Sequence, residues 1–174
     1  MNDFTWDSTF SALYERSVAR YRSGDTDFEN YYSAEDLALL DSIGCAKREF
    51  FDFVEDFAEL GEPSPTTAVL VASARRDYFH VVMEGEKSDR VLDPSTLPAK
   101  TDELEGFVWL PRIIAKARAK LRGELHPDTM FCCGGDRKFL RTHDIAPADF
   151  LRAVWAAGDD DGKVIDYVRR NSKA

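Results

Sequence analysis

The stretch MFCCGGDRKFL, Met130–Leu140, combines two thiols, two glycines and an Asp-Arg pair, which are residue types common in metal, nucleophile and anion sites. Thiolates and imidazoles bind zinc, so one hypothesis is a metal site made of Cys132, Cys133, His126 and His143. Structural zinc sites use cysteines separated by about two to four residues, whereas these two are adjacent and point apart. The distances in sequence to the histidines also match no standard zinc motif. We therefore predict no metal here.

A second interpretation makes Cys133 a nucleophile. It lies just ahead of a predicted helix start, where the positive end of the helix dipole stabilises a thiolate. Catalysis also needs a base, and His126 or His143 could serve if the fold brought one of them to the sulfur. Arg112 and Arg137 would then hold an anionic substrate. In this version the protein is a small enzyme or redox protein.

A third interpretation is an anion cradle. Gly134 and Gly135 leave their backbone N–H groups accessible, and Arg137 adds a fixed positive charge. Asp136 opposes this, since an aspartate at a helix N-cap takes those N–H groups for itself. We favour a tight turn with a helix cap, and keep the cradle as the alternative. The residues predicted to bind a ligand are Arg112, Lys116, Gly134, Gly135, Asp136, Arg137, Arg76 and Tyr78.

The helix ahead of this stretch is strongly basic. Five cations and no acid occur over residues 112–122: Arg112, Lys116, Arg118, Lys120 and Arg122. Such a face could bind a phosphate-bearing ligand, a nucleic-acid backbone or an acidic partner. We favour an internal match to the acidic helix around Glu49–Glu59. Trp109 is the one aromatic residue placed for base stacking, which disfavours nucleic acid further.

A polar group also interrupts the apolar stretch ARRDYFHVV. Arg75, Arg76, Asp77 and Tyr78 would have to be paired if this helix were buried. We interpret them as a buried hydrogen-bonded network that stabilises the fold. The alternative is that they line a small ligand-binding pocket.

Composition limits the class of protein. The chain has 174 residues, a net charge of −9, 44% hydrophobic and 32% charged residues, which indicates one folded acidic domain. No apolar run approaches the roughly 20 residues that span a bilayer, and the N-terminus does not resemble a signal peptide. An odd number of cysteines without an export signal is typical of reduced thiols, so we expect a cytoplasmic protein without membrane contact or cofactor.

The segments that carry these residues are predicted to be helices. Apolar residues at three- and four-residue steps predict helices over the N-terminal 1–30 region, after Ser33, up to Gly61, and from Thr66 to Glu84. A polar connection covers 85–100, and the pattern from Leu104 to Arg122 is again helical. Three further helices follow, one of them opened by Pro147. We predict an all-α fold of seven or eight helices in one globular domain, 1–174.

One family resemblance rests on three stretches. They are the Gly-x-x-x-Leu-Pro-Arg-x-Ile-x-Lys-x-Arg run from Gly106 to Arg118, GGDRKFL, and APADFLRAVWAAGDDDGKV. With these the chain resembles a bacterial domain-of-unknown-function family of small helical proteins. The resemblance covers roughly residues 33–170, is strongest over 106–165, and leaves out the first 30 residues. It implies a soluble cytoplasmic-type helical domain and assigns no catalytic residue.

Two functions remain open from the sequence. The first is a non-catalytic binding or interaction module that recognises an anionic small molecule or an acidic protein and forms a homo-oligomer. It rests on charge-segregated helices and on aromatics predicted to be exposed, namely Trp6, Tyr14, Tyr31 and Tyr32. The second is the enzyme or redox protein centred on Cys133.

Overall fold

The computed structural model describes residues 3–172, which form eight α-helices and one two-stranded sheet. The prediction of an all-α fold with seven or eight helices is confirmed. The chain divides into two compact units, one up to Lys87 and one from Ser88 onward. This boundary lies inside the predicted 85–100 connection, and the single domain over 1–174 stays a prediction. Within residues 3–172, no helix is both long and apolar enough to cross a membrane.

The first unit has an aromatic core. Its helices are α1 (Trp6–Arg22), α2 (Ala34–Ser42), α3 (Lys47–Leu60) and α4 (Pro65–Val81). Helix α1 packs against the other three. Phe10 and Phe50 are both fully buried and meet edge to face with their ring centres 5.2 Å apart. Such pairs contribute roughly 0.5–1.5 kcal/mol beyond the burial of their area.

Local capping explains where these helices begin and end. Ser33 accepts a hydrogen bond from the backbone N–H of Asp36, whose carboxylate accepts one from the backbone N–H of Ser33. This is a capping box, and it begins the helix that the sequence predicts after Ser33. Gly61 ends α3 with a φ of 73°, a conformation that glycine adopts without a steric penalty. Ser64 caps α4, which is continuous to Val81, so the helix predicted there is confirmed.

The second unit differs from the prediction at its start. It contains β1 (Glu103–Leu104), β2 (Phe107–Val108), α5 (Leu110–Arg122), α6 (Gly134–Thr142), α7 (Pro147–Ala157) and α8 (Asp161–Asn171). The helix predicted from Leu104 was wrong over its first six residues, because an antiparallel hairpin precedes α5. The turn residues Glu105 and Gly106 have φ values of 49° and 84°. Two positive φ values define the tight turn that suits a hairpin, and they cannot continue a helix.

Helix α5 is central to this unit. It packs against β1 and α7, and α7 packs against α8. Leu110, Ile113 and Phe150 are completely buried in the resulting core. Burial of a side chain of this size contributes roughly 1.5–3 kcal/mol. The core therefore fixes α5, and Lys116 on α5 and Trp109 just ahead of it both reach the start of α6.

Candidate functional site

The start of α6 has an unusual backbone. Cys132 has a φ of 71°, and Cys133 is the extended N-cap residue. The helix begins at Gly134, so Asp136 occupies its third position and the prediction of Asp136 as the N-cap was wrong by three residues. The side chain of Cys133 forms no capping hydrogen bond. Its sulfur is therefore not committed to the helix that it precedes.

The carboxylate of Asp136 accepts three hydrogen bonds. Its Oδ1 accepts from Nε1 of Trp109 at 2.9 Å. Its Oδ2 accepts from Nζ of Lys116 at 2.5 Å and from the backbone N–H of Cys132 at 2.9 Å. The Asp136 side chain is completely buried and that of Lys116 is 4% exposed. This is a buried ion pair with additional hydrogen bonds, the arrangement in which a buried charge is tolerated.

Lys116 has a second partner, the thiol of Cys133. Its Nζ lies 3.2 Å from Cys133 Sγ. The amine therefore connects the buried carboxylate to the sulfur of Cys133, a residue that is half-buried. We call Trp109, Lys116, Cys133 and Asp136 the Asp136 cluster.

The neighbouring thiol has a different environment. Cys132 is completely buried, and this burial raises the pKa of its thiol to about 12, against the opposing effect of the Arg137 charge. Arg137 donates from Nη1 to the carbonyl oxygen of Cys132 at 2.8 Å. A thiol that resists ionisation is a poor nucleophile. Of the two adjacent cysteines, Cys133 is therefore the one suited to react.

Trp109 covers the start of α6. It has a φ of 78°, a conformation that is uncommon for a bulky residue and has to be held by its surroundings. Its indole is anchored by Asp136 and lies directly over Gly135, where a Cβ atom would be 2.3 Å from the ring. Gly135 is thus required for close approach of the indole, and Trp109 occupies the space above it.

Arg112 and Arg137, the predicted substrate-holding residues, both bind backbone oxygens. Arg112 donates to the carbonyl oxygen of Pro98 at 2.6 Å, and its guanidinium lies 5.9 Å from the Trp109 ring. Arg137 binds Cys132 as described above. Both guanidinium groups thus donate hydrogen bonds to the backbone near the Asp136 cluster.

His126 and His143, the two predicted bases, each have polar contacts with residues other than Cys133. His126 Nδ1 accepts from the backbone N–H of Asp128 at 3.1 Å. His143 Nδ1 lies 2.7 Å from Ser172 Oγ, and its ring contacts those of Phe107 and Phe139. None of these contacts is with Cys133. In the part of the chain that the structure describes, no group of three or more His, Cys, Asp or Glu side chains could hold a metal ion.

Stability should fall in mild acid because of His143. Burial lowers the pKa of this imidazole below its ordinary value of 6.5, so the unfolded chain binds the proton more readily than the folded chain. Stability is therefore expected to decrease as the pH falls below 6.5 and to level off below the folded-state pKa. Urea unfolding followed at several pH values, with His143→Phe as the comparison, tests this. An unchanged pH dependence in the variant would contradict it.

Two of the remaining cations of α5, Arg118 and Arg122, form salt bridges within the second unit. Arg118 forms a salt bridge of 2.7 Å with Asp161, and Arg122 one of 2.7 Å with Glu124. Lys120 is buried, with 2% exposure. The basic helix is thus matched in part by acids that follow it in sequence. The match to the Glu49–Glu59 helix stays a prediction.

Arg76 and Tyr78 lie on α4 in the first unit. Arg76 approaches Asp77 at 3.5 Å and lies 5.4 Å from the Trp6 ring. The same unit corrects the prediction of exposed aromatics. Tyr14 and Tyr31 are buried, with 1% and 7% exposure, because both pack into the aromatic core.

The role of Trp109 was not predicted from the sequence. The residue was interpreted as a base-stacking aromatic, whereas its indole N–H donates a hydrogen bond to the buried carboxylate of Asp136. The signal that could have indicated this is the Gly134–Gly135 pair. Two adjacent glycines within a helical start suggest close approach by a large side chain, but they do not identify which one.

One protein family matches part of the chain. Residues 95–174 match the model of a family described as a domain of unknown function (DUF5069). This confirms the resemblance to an uncharacterised domain-of-unknown-function family over these residues, including the 106–165 stretch. Residues 33–94 lie outside the match. The matched range contains the whole Asp136 cluster. No curated protein and no solved structure matches the chain.

Proposed function

We propose that residues 88–174 act as a thiol-based redox module in which Cys133 is oxidised by peroxide-type oxidants. The observation that carries this proposal is the 3.2 Å contact between Lys116 Nζ and Cys133 Sγ. A cation beside a cysteine at a helix start is a recurrent environment of reactive thiols. The family match assigns no activity, so the argument rests on this site.

Accessibility supports Cys133 over its neighbour. Cys133 is half-buried, while Cys132 is buried and its pKa is raised to about 12. Oxidation by peroxide requires a thiol that is both accessible and able to ionise. The two adjacent cysteines therefore divide into one structural and one reactive residue.

The geometry supports oxidation of the protein itself rather than turnover of a substrate. The enzyme hypothesis assigned substrate binding to Arg112 and Arg137, and each of these binds a backbone carbonyl oxygen. It assigned proton transfer to His126 or His143, whose contacts lie with Asp128 and Ser172. We retain Cys133 as the reactive residue of that hypothesis. We propose that each chain is oxidised once at Cys133 and does not turn over a substrate.

The alternative of a binding module for an anion stays a prediction. Its cradle centres on Gly134, Gly135 and Arg137, and in the structure the carboxylate of Asp136 lies beside this segment with three donors around it. An internal carboxylate thus takes the place next to Lys116 that an external anion would occupy. This favours the redox proposal over anion binding.

Cysteine-resolved oxidation tests the redox proposal. We expect Cys133 to react with hydrogen peroxide near neutral pH about tenfold faster than Cys45, and Cys132 to react slowest. Cys45 is the internal control, because it is also half-buried but its thiol lies 3.6 Å from the Ala46 carbonyl oxygen. The measurement is quenched labelling of remaining thiols followed by peptide mass spectrometry on the full chain. Equal rates at Cys133 and Cys45 would overturn the proposal.

A further inference from the structure

We infer that Cys133 and Lys116 form a paired modification site: on oxidation, the sulfur of Cys133 becomes linked to Nζ of Lys116 by an S–N bond. This inference rests on the proposed function, since it requires Cys133 to be oxidised first. It assigns Lys116 a chemical role as the amine that captures the oxidised sulfur. The product is a covalent cross-link between α5 and α6.

The two atoms are already placed for bond formation. Nζ lies 3.2 Å from Sγ, within the roughly 3–3.5 Å range of reacting groups that are held close to the transition state. Lys116 projects from the middle of α5, whose apolar face is fixed in the core, and Cys133 immediately precedes α6. The contact is therefore set by two rigid elements rather than by a mobile loop.

Burial makes Lys116 the lysine that is placed to react with Cys133. A lysine on the surface moves freely and meets a nearby sulfur only briefly, whereas the Lys116 side chain is 4% exposed and held by Asp136 at 2.5 Å. The fixed carboxylate prevents the amine from turning towards solvent. Lys116 is thus a permanent neighbour of Cys133.

The adjacent cysteine is a poor competitor. Successive Cα atoms are about 3.8 Å apart, whereas disulfide-bonded cysteines usually have Cα atoms about 4.4–6.8 Å apart. A bond between Cys132 and Cys133 would therefore be strained. Burial of Cys132 further keeps its sulfur in the unreactive thiol form.

The chemistry balances with peroxide as the oxidant. Cys133–SH reacts with H₂O₂ to give Cys133–SOH and water, which is a two-electron oxidation of sulfur. The ammonium of Lys116 gives one proton to the carboxylate of Asp136, and the neutral amine attacks sulfur. The S–O bond breaks, the hydroxide leaves with a proton from nitrogen as a second water molecule, and Cys133–S–NH–Lys116 remains. That proton stays on Asp136, because the cross-linked nitrogen is neutral and no longer offsets a buried negative charge.

The product can be identified by mass. The cross-linked chain is expected to be about 2 Da lighter than the reduced chain, whereas uncaptured oxidation leads to a sulfinic acid about 32 Da heavier. A disulfide has the same mass as the cross-link, so the test uses the full chain with Cys45→Ser and Cys132→Ala, in which Cys133 is the one remaining thiol. After peroxide treatment, trypsin is expected to leave the peptides containing Lys116 and Cys133 joined, and dithiothreitol to separate them.

Lys116→Arg and Lys116→Met serve as matched variants. Neither side chain has a nucleophilic amine, so the loss of about 2 Da should disappear and Cys133 should accumulate as sulfinic acid. Arginine keeps the positive charge beside Asp136, and methionine keeps an unbranched side chain that is one atom shorter and uncharged. If both variants fold poorly, the joined peptides of the chain with Lys116 decide the question directly.

The outcomes separate the two proposals. Oxidation of Cys133 without joined peptides, or a link to a different lysine, overturns this inference and leaves the redox proposal standing. A Cys133 that stays reduced while other thiols in the natural chain oxidise overturns both. Joined peptides that map to Lys116 and Cys133 support both.

Discussion

Asp136→Asn is expected to destabilise the second unit by about 3–5 kcal/mol, because it leaves the ammonium of Lys116 buried without its negative partner. The carboxylate accepts from Lys116, Trp109 and the backbone of Cys132. Asparagine has one acceptor oxygen, and its NH₂ group would face another donor. A loss of this size is a large part of the roughly 5–15 kcal/mol that stabilises an ordinary domain.

Urea unfolding followed by circular dichroism measures this loss. Asp166→Asn is the matched control, since Asp166 is exposed and pairs with Arg169 at 3.3 Å on the surface of the same unit. An exposed pair contributes about 0–1 kcal/mol, so this variant should change stability little. A loss at Asp136 no greater than that at Asp166 would contradict the buried ion pair.

A double-mutant comparison separates the cost of the unpaired ammonium from the cost of the other lost hydrogen bonds. In the Lys116→Met background there is no buried ammonium, so Asp136→Asn should cost less than it does alone. The difference between the two costs measures the coupling of Lys116 and Asp136. Strict additivity would show that the cost arises from the bonds to Trp109 and Cys132 instead.

The fold was predictable where local chemistry determines it. The capping box at Ser33, the glycine at the end of α3 and Pro147 in the first turn of α7 each act within a few residues. The structure has helix ends at all three places. These signals satisfy backbone groups at helix ends, so they do not depend on distant parts of the chain.

The hairpin ahead of α5 shows where periodicity misleads. Phe107 fits the apolar arc of α5 when the helix is extended backwards, but Glu105 and Gly106 form a tight turn with positive φ. Two short strands contain too few residues to show a clear alternation. The turn therefore determines that residues 104–109 form a hairpin, and their apolar spacing does not reflect a helix.

The site was predictable in its residue types but not in its pairings. The sequence singled out Lys116, Cys133 and Asp136, yet it assigned the first to a ligand face and the last to a helix cap. Lys116 and Cys133 are 17 residues apart, and Trp109 and Asp136 are 27 apart. Contacts over such separations depend on how α5 and α6 pack. No local pattern in one sequence specifies them.

Gly135→Ala is expected to destabilise the second unit by about 1–3 kcal/mol, although alanine favours a helix. The added Cβ would lie 2.3 Å and 2.5 Å from two carbons of the Trp109 ring. The indole must therefore move, and its hydrogen bond to Asp136 lengthens or breaks. Protection of the indole N–H from hydrogen exchange, measured by NMR, should fall together with the unfolding midpoint.

Gly134→Ala is the matched control at the preceding helical position. Its Cβ would meet an Arg137 nitrogen at 3.9 Å, an ordinary contact. Since alanine restricts the unfolded chain more than glycine does, this variant should be neutral or more stable by about 0.4–1 kcal/mol. The two glycines thus share one local conformation and differ in what lies above them.

Trp109→Leu shows whether the indole causes the penalty, because leucine lacks the two ring carbons that the new Cβ would meet. In that background Gly135→Ala should lose its penalty and behave like Gly134→Ala. If the penalty persists, the glycine is required by the backbone rather than by the indole. If it disappears, Gly135 is present to admit Trp109, and the indole that binds Asp136 also helps to fix the carboxylate that holds Lys116 beside Cys133.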